Sequence, residues 1–588
     1  MKMYILGISC FYHDASACIV RNGKLIAAAQ EERFTRKKHD SGFPANAIRY
    51  CLKEAGIGID EVNYVGFYEK PLLKFERVLY QHLEMFPRSF NTFVASIPSW
   101  FNEKLRVIRI LKKKIKYKGD VLFVDHHMTH AAGSFLISPF NKAAVLSIDG
   151  VGEWTTTVYG MCEENDIHLM KEIKFPHSIG LLYSTITAYL GFSVNNSEYK
   201  VMGLSAYGDM NKDTNLYYKK LRKVIDIKDD GSYFLDMSYF VYHYKNRMPS
   251  EKLCKLLGGS ISIRDSEMTK RHKDIAAALQ LITEDVGMKI LNYLYKETKC
   301  ENLALSGGVA LNSVFNGKIL RNTPFKNIWI QPDPGDGGTS VGVAFYVYNV
   351  ILNKKRNYVL EDAYLGPGYK TEEIKTFLDN NKIKYLQFKD NDDMLKETAK
   401  LIFHNNIVGW FQGRMEWGPR ALGARSILSN PCNKKMKQIL NVKVKHRERF
   451  RPFAPVVCGE DALKYFECDN PIPKPTDFML MVYPIRKKYH RLIPAVTHAD
   501  GSGRLQTIKE SQNFLYYRLI KEFCKLSGIP ILINTSFNIR GEPIVCRPED
   551  AYRCMMGTEI DYLVIDRFLI KRSDNKKDIW DSEAYAND

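Results

Sequence analysis

The feature that most restricts how this chain can fold is a design that occurs twice: an apolar strand, a polar turn, and a strand that returns. The first copy is YILGISCFYHDASACIVR, which continues over the hairpin signal Asn22-Gly23 into KLIAAAQ. The second is AAVLSIDGVGEWTTTVYG. Between them VLFVDHHMTHAAGSF carries a short apolar run to Asp125 and then changes to a small-residue segment that reads as a helix. Two glycine loops follow, LSGGVALN and PGDGGTSVGVA. One glycine loop is only a turn. Two strand-turn-strand copies and two glycine loops in this order are the outline of a duplicated α/β fold with a cleft.

That outline is how actin-like nucleotide-binding domains present themselves. Glycine turns and helix starts let backbone N–H groups approach phosphate oxygens, so Gly150, Gly152, Gly180, Gly203, Gly307, Gly308 and Gly337, with Lys200 and Asn312, are the nucleotide-binding candidates. With the histidine segment helical, His126 and His130 are i, i+4 neighbours on one face and converge on one point. Asp149 and Asp336, each at the end of an apolar run, could complete an N/O shell for a divalent metal. The alternative is that these histidines cap or pack a helix start. His13 and Asp14 lie in the first polar turn, where side chains can point into the cleft; a turn-capping Asp14 with a solvent-facing His13 fits the spacing as well.

A chain of 588 residues is too long for one core. The composition shifts at Asn353-Lys354-Lys355-Arg356-Asn357, so the expected domains are 1–355 and 356–572, with a polar tail over 573–588. The net charge of +19 calls for anionic partners, although the run LKKKIKYK reads as a solvated helix face. Arginines set among glycines, prolines and aromatics carry more weight, because turns hold them for bidentate contacts to oxyanions. They lie in GRMEWGPRALGARSIL and NVKVKHRERFRPFAP. Arg420, Arg425, Lys443, Arg447, Arg449, Arg451 and Arg504 are therefore proposed to form an anion site, with Asn534, Ser536 and Asn538 at the end of the strand IPILINTSFN as its floor. The 12 cysteines form no C-x-x-C pair, no run of about 18 apolar residues occurs, and the start lacks a secretory pattern. A cytoplasmic location with reduced thiols is expected.

At these residues the chain resembles the O-carbamoyltransferases of the nodulation-factor, aminoglycoside and cephamycin type. The motifs FYHDASA, QEERFTRKKHD, DHHMTHAAGSF, SIDGVGEWTTT, EYKVMGLSAYG, LSGGVALN, PDPGDGG, WGPRALGARSIL, RERFRPFAP and NTSFNIRGEPIV carry the resemblance nearly end to end. It implies an N-terminal actin-like domain related to the tRNA threonylcarbamoyl transferases and a C-terminal YrdC-like α/β domain. It also implies the chemistry. Carbamoyl phosphate and ATP, the latter with Mg²⁺, give carbamoyl-adenylate in the second domain, and the first passes the carbamoyl group to a hydroxyl. The family's metal, usually iron(II), falls on His126, His130, Asp149 and Asp336. The adenylation site falls on the cationic cluster. From their place in the first polar turn, His13 and Asp14 are proposed to sit at the mouth of the cleft and handle the acceptor hydroxyl, with His13 as the base.

The expected partner is a small-molecule hydroxyl acceptor, such as a sugar, aminoglycoside or other natural product. Neither nucleic acid nor a membrane is expected, and a homodimer is allowed. The rival function is a tRNA-modifying carbamoyl transferase, whose binding would weaken by orders of magnitude with salt. An actin-like scaffold would not need the histidine pair. A zinc peptidase would need H-E-x-x-H, and His127 stands where its Glu would be.

Overall fold

The computed structural model describes residues 2–263, 267–448 and 450–575. It divides into two compact units, one of residues 1–31 and 39–360, the other of 32–38 and 361–588. The second boundary lies five residues beyond the expected one. The short excursion of 32–38 into the second unit was not anticipated, and part of the expected tail, 576–588, lies outside the described residues.

In the first unit the repeat is explicit. Strands β1 (Tyr4–Ser9), β2 (Ser16–Arg21), β3 (Lys24–Gln30), β4 (Tyr64–Phe67) and β5 (Asp120–Phe123) form a sheet of order β3-β2-β1-β4-β5. The strands β6 (Lys142–Ile148), β7 (Thr155–Glu163) and β8 (Asp166–Lys174) belong to a second sheet. A small hairpin, β9 (Ile225–Ile227) and β10 (Tyr233–Leu235), precedes its last two strands, β11 (Asn302–Ser306) and β12 (Asn327–Trp329). The second sheet's order is β12-β11-β6-β7-β8. In each sheet the leading strand pairs antiparallel with its hairpin partner and parallel with the strand on its other side. This duplicated topology is the actin-like fold. Every residue of β1 is buried, as its uninterrupted apolar run requires of a strand covered on both faces.

Two helices at the centre of this unit bring its site together: His126–Phe135, and Thr339–Phe345 after Asp336. They touch through glycines. A Cβ added to Gly342 would stand 1.9 Å from the Thr129 carbonyl oxygen, and one on Gly133 would stand 3.0 Å from the Gly342 Cα. Because backbone atoms cannot yield as side chains do, Gly342→Ala is expected to cost about 1–3 kcal/mol or more. Scanning calorimetry of the variant should show a melting transition lowered by several degrees; an unchanged transition would mean that the crossing has room.

The second unit is built on a nine-stranded sheet of order β13-β21-β20-β14-β15-β19-β16-β18-β17. Its strands are β13 (Leu386–Gln387), β14 (Val408–Phe411), β15 (Arg425–Ser429), β16 (Ala454–Cys458), β17 (Met481–Pro484), β18 (Ser502–Ile508), β19 (Ile531–Ser536), β20 (Tyr562–Ile565) and β21 (Phe568–Lys571). Helices Asn391–Phe403 and Phe514–Ser527 supply Leu395, Ile402, Leu519 and Phe523 to a core with Trp410, Leu428, Val456 and Leu532. Residues 32–38 are a working part of this unit. The Arg36 guanidinium pairs with Glu542 at 2.9 Å and donates to the carbonyls of Pro543 and Ile544, each at 2.7 Å. Arg33 donates to the Gly418 carbonyl at 2.9 Å, and Phe34 packs on Met415, Ala421, Ile544 and Cys546.

Candidate active site

The helix carrying the histidines begins at His126, directly after Asp125. Asp125, which reads as its cap, turns away to pair with Lys70 at 2.8 Å. The capping anion comes from Glu153 in the turn after β6, whose two carboxylate oxygens each accept from the His126 N–H at 3.1 Å. This ties the second polar turn to the start of the histidine helix.

Four buried side chains then converge. His126 Nε2 lies 3.1 Å from His130 Nε2, 3.3 Å from Asp149 Oδ2 and 3.6 Å from Asp336 Oδ1; His130 Nε2 is also 3.6 Å from Asp336 Oδ1. One ligand atom from each of the four lies within 4.8 Å of the others. Bonds of about 2.0–2.2 Å to a tetrahedral or octahedral ion separate neighbouring ligand atoms by about 3–3.6 Å, the spacing seen here. Two imidazole nitrogens facing each other can share only one proton, and Asp336 Oδ1 is buried without a hydrogen bond. A cation would satisfy both, and the N₂O₂ donor set suits a divalent first-row metal. His127 points elsewhere, to Ser147 Oγ at 3.1 Å, and burial beside two other imidazoles pushes its pKa down to about 3. Burial alone would raise both aspartates, but the neighbouring imidazoles hold them below the ordinary carboxylate range: His126 chiefly for Asp149, His13 chiefly for Asp336.

His13 and Asp14 join this group. Asp14 has φ 54°, a left-handed conformation that Asp tolerates, and its side chain thereby reaches back to the residue before it. His13 Nδ1 lies 2.8 Å from Asp14 Oδ2, and His13 Nε2 lies 3.6 Å from Asp336 Oδ2. His39, which the sequence reading did not single out, holds the other Asp14 oxygen at 2.7 Å and meets Asn196 through its second ring nitrogen at 2.9 Å. Burial opposes charge on His13, yet Asp336 and Asp14 outweigh it and raise its pKa to about 10. Without a cation on Asp336 this imidazole is therefore protonated at neutral pH. In chelated protein its ring proton should titrate by NMR near pH 10 and Asp14→Asn should lower that midpoint; a midpoint near 6.5 would contradict the pairing.

The glycine candidates divide by role. Gly308 N–H donates to Asp149 Oδ1 at 2.7 Å and so orients one carboxylate of the converging four. Gly307, at φ 86°, has no room for a Cβ beside the Ile148 carbonyl, and Gly180 has none beside that of Asp149. Gly337 lies against Asp333, and Gly152 against His126 and His127. A Cβ on Gly150 would meet only Leu181 Cδ2, at 3.9 Å, and the Gly150 carbonyl accepts from Ser178 Oγ. Gly203 and the buried Lys200 are in the helix Glu198–Ser205, Lys200 with its ammonium 5.6 Å over Phe192. The Asn312 side-chain amide caps the helix Ser313–Asn316 and pairs with Gln280.

In the second unit the cationic candidates do not all meet. Ser536 and Asn538, at and just past the end of β19, bond to each other at 2.7 Å and receive Lys445, whose ammonium donates to the Ser536 carbonyl at 2.5 Å and to the Asn538 carbonyl and side-chain oxygens at 2.8 Å. Burial, with Arg447 and Arg451 nearby, holds the Lys445 pKa well below that of a free lysine. Arg447 is fixed by Asn441 Oδ1 at 2.7 Å, and Arg451 lies 3.5 Å from Glu448. Asn534 donates to Gln506 on β18 and to the Ala421 carbonyl, while Arg504 is half-buried on β18 opposite Val482. Arg420 is half-buried in the loop before β15.

Two assignments are corrected. Lys443 is exposed and pairs with Glu559, and Lys445 occupies the interior. Arg425 is wholly buried, with its guanidinium on four carbonyls, those of Gln412, Ala424, Pro367 and Gly413, which makes it a structural clamp. Arg449 lies outside the described residues.

The chain matches the family description carbamoyltransferase N-terminus over residues 4–345 and carbamoyltransferase C-terminus over residues 399–572. It is 45% identical to an uncharacterized protein of Synechocystis, over 97% of each chain. It is 34% identical to the nodulation protein NolNO of Sinorhizobium fredii, over 98% of this chain and 81% of that one. Among solved structures it overlaps T. kodakarensis HypF with a TM-score of 0.29 and 15% identity, over 58% of this chain and 47% of that one.

Proposed function

This chain belongs to the carbamoyltransferase family and is a transferase, and from that premise we propose that it is an ATP-dependent O-carbamoyltransferase acting on a hydroxyl of a small molecule. The observation that carries the reading is the buried convergence of His126, His130, Asp149 and Asp336 within 4.8 Å. Those four residues would hold a divalent metal, iron(II) by the family resemblance. Bound there, it would supply charge neutralisation at the phosphate of a departing AMP.

The second unit would make the donor. Water would cleave carbamoyl phosphate to carbamate and phosphate, and a carbamate oxygen would then attack the α-phosphorus of ATP, expelling pyrophosphate and giving carbamoyl-adenylate. Arg447, Arg451, Arg504, Ser536 and Asn538 would bind the anionic reactants, with Lys445 positioning Ser536 and Asn538. The resulting mixed anhydride has to be kept from water. The first unit would then bind the nucleotide among the glycine turns around Gly150 and Gly308 and transfer the carbamoyl carbon to the acceptor oxygen.

His13 would handle the acceptor proton. An alcohol with a pKa near about 16 attacks slowly at neutral pH, and a positioned base is worth about 10²–10⁴ in rate. The Asp336 carboxylate is the strongest attraction holding the His13 proton. Once that carboxylate is engaged by a cation, the imidazole is freed to accept a proton, with Asp14 and His39 fixing its ring. His13→Asn should slow turnover of synthetic carbamoyl-adenylate by about 10²–10⁴; turnover within about threefold of wild type would remove His13 from this role.

The decisive assay incubates the enzyme with ATP, carbamoyl phosphate and a panel of sugars, aminoglycosides and polyketide alcohols. Mass spectrometry should find the carbamoyl increment on a hydroxyl of one class. A carbamoylated amine, or AMP release with free carbamate and no acceptor product across the panel, would contradict the proposal.

A further inference from the structure

Residues 71–118, inserted between β4 and β5, begin with a helix folded inside out. Pro71–Glu84 buries Lys74, Arg77 and His82 and turns Leu72, Leu79, Tyr80 and Leu83 toward solvent. Lys74 pairs with the buried Glu69 at 2.5 Å, and the Arg77 guanidinium lies 4.9 Å over Phe175. The outward face is apolar and continues past the end of the helix. Leu83 and Phe86 are each 66% exposed, and the Phe86 ring meets that of Phe90, itself 54% exposed, at 6.5 Å.

This is not ordinary scatter. Of the twenty-one large apolar side chains exposed among the described residues, ten fall in residues 72–108, a density that marks a contact surface. The same insertion is strongly basic. Residues 71–118 carry eleven lysines and arginines against three acidic residues, a net charge of +8 out of the chain's +19. Arg88 is exposed between Phe86 and Phe90, and the helix Val107–Ile115 exposes Arg109 and the run Lys112, Lys113, Lys114.

We propose that residues 71–118 form a peripheral docking surface for an anionic lipid bilayer, with Leu83, Phe86 and Phe90 entering the boundary between headgroups and acyl chains and Arg88, Lys112 and Lys113 meeting the lipid phosphates. Apolar exposure on a segment that is also strongly cationic is the pattern of proteins that lie on a membrane, and each cation near an anionic surface is worth about fivefold in partitioning. Charge complementarity favours this occupant over a second copy of the chain, because the segment stays net positive even with Lys74 and Arg77 buried, and an isologous pairing would set two such surfaces against each other. No helix among the described residues is long and apolar enough to cross a membrane, so the contact would be confined to the surface. The sequence reading expected no membrane partner and a solvated LKKKIKYK; a search for spans registers apolar length, whereas this surface arises from which side of the helix the fold buries.

The test is cosedimentation of the full chain with unilamellar vesicles. Wild type should bind vesicles containing about 30 mol% phosphatidylglycerol in phosphatidylcholine, and binding should fall at least about tenfold in pure phosphatidylcholine. Raising the salt from about 0.1 M to 1 M, where the Debye length shrinks to about 3 Å, should weaken binding in the same direction. The double variant Leu83→Ser, Phe86→Ser changes exposed positions only, so near-UV circular dichroism should be retained while binding drops about tenfold or more. Lys112→Gln with Lys113→Gln should lower binding to anionic vesicles by about 10–30-fold. No vesicle binding by the wild type would overturn the proposal, as would serine variants that bind like wild type. A concentration-dependent dimer in sedimentation velocity that the serine variant abolishes, without vesicle binding, would assign the surface to a second copy instead.

Discussion

His130→Ala is expected to abolish the proposed divalent-metal binding by the first unit and to lower carbamoyl transfer by about 10³, while carbamoyl-phosphate-dependent ATP–pyrophosphate exchange stays within about twofold of wild type. The size follows from charge: a metal ion at a phosphate is worth several kcal/mol in the transition state, and each 1.36 kcal/mol is about tenfold in rate. The separation follows from where the residues are. His130 is in the first unit, wholly buried beside His126 and Asp336, whereas Ser536 and Lys445 are in the second. Elemental analysis should read near zero metal per chain in the variant. Equal loss of exchange and transfer would mean that the two steps share the histidine site.

The second large effect separates two lysines one residue apart. Lys445→Met should reduce pyrophosphate exchange by about 10²–10³, the cost of removing a positioned donor from an electrostatic site. Lys443→Ala should leave exchange within about twofold, because its exposed partner Glu559 contributes about 0–1 kcal/mol. Lys445 is a positioning residue: it acts on Ser536 and Asn538, whose oxygens it gathers. Lys445→Arg should accordingly recover part of the rate without restoring all of it, and the loss should fall on kcat together with the KM for carbamoyl phosphate. If the lysines exchanged phenotypes, the interior assignment would be wrong.

What the sequence made legible depended on local spacing. The i, i+4 histidines and the aspartates closing apolar strands announce a convergence because helix period and strand ends fix where those side chains go, and the four ligand atoms do meet. Side chains brought in from a distance left no such mark. His39 reaches Asp14 from twenty-five residues away in an irregular segment, and Glu153 caps a helix that already has Asp125 at its start. Lys443 and Lys445 alternate in sequence. The chain there is wound as a π-type turn over Leu440–Val444, so ordinary helical spacing does not say which one points inward. Arg425 shows a different limit. A buried guanidinium can be satisfied by carbonyls alone, and an arginine among glycines looks the same in sequence whether its acceptors are phosphates or the protein's own backbone.

The excursion of residues 32–38 bears on how such a protein can be cut, traded and inherited. A fragment beginning at Glu361 would lack a piece of its own interior. Glu542, almost fully buried, would lose the Arg36 cation, and a buried charge stripped of its partner costs about 3–5 kcal/mol. The apolar pocket of Met415, Ala421 and Ile544 would lose Phe34 as well. A genetic exchange at the boundary near residue 360 would hand a recipient an incomplete half, although that point looks like the natural seam. The two halves are thus bound to descend together, because seven residues of one are written inside the other.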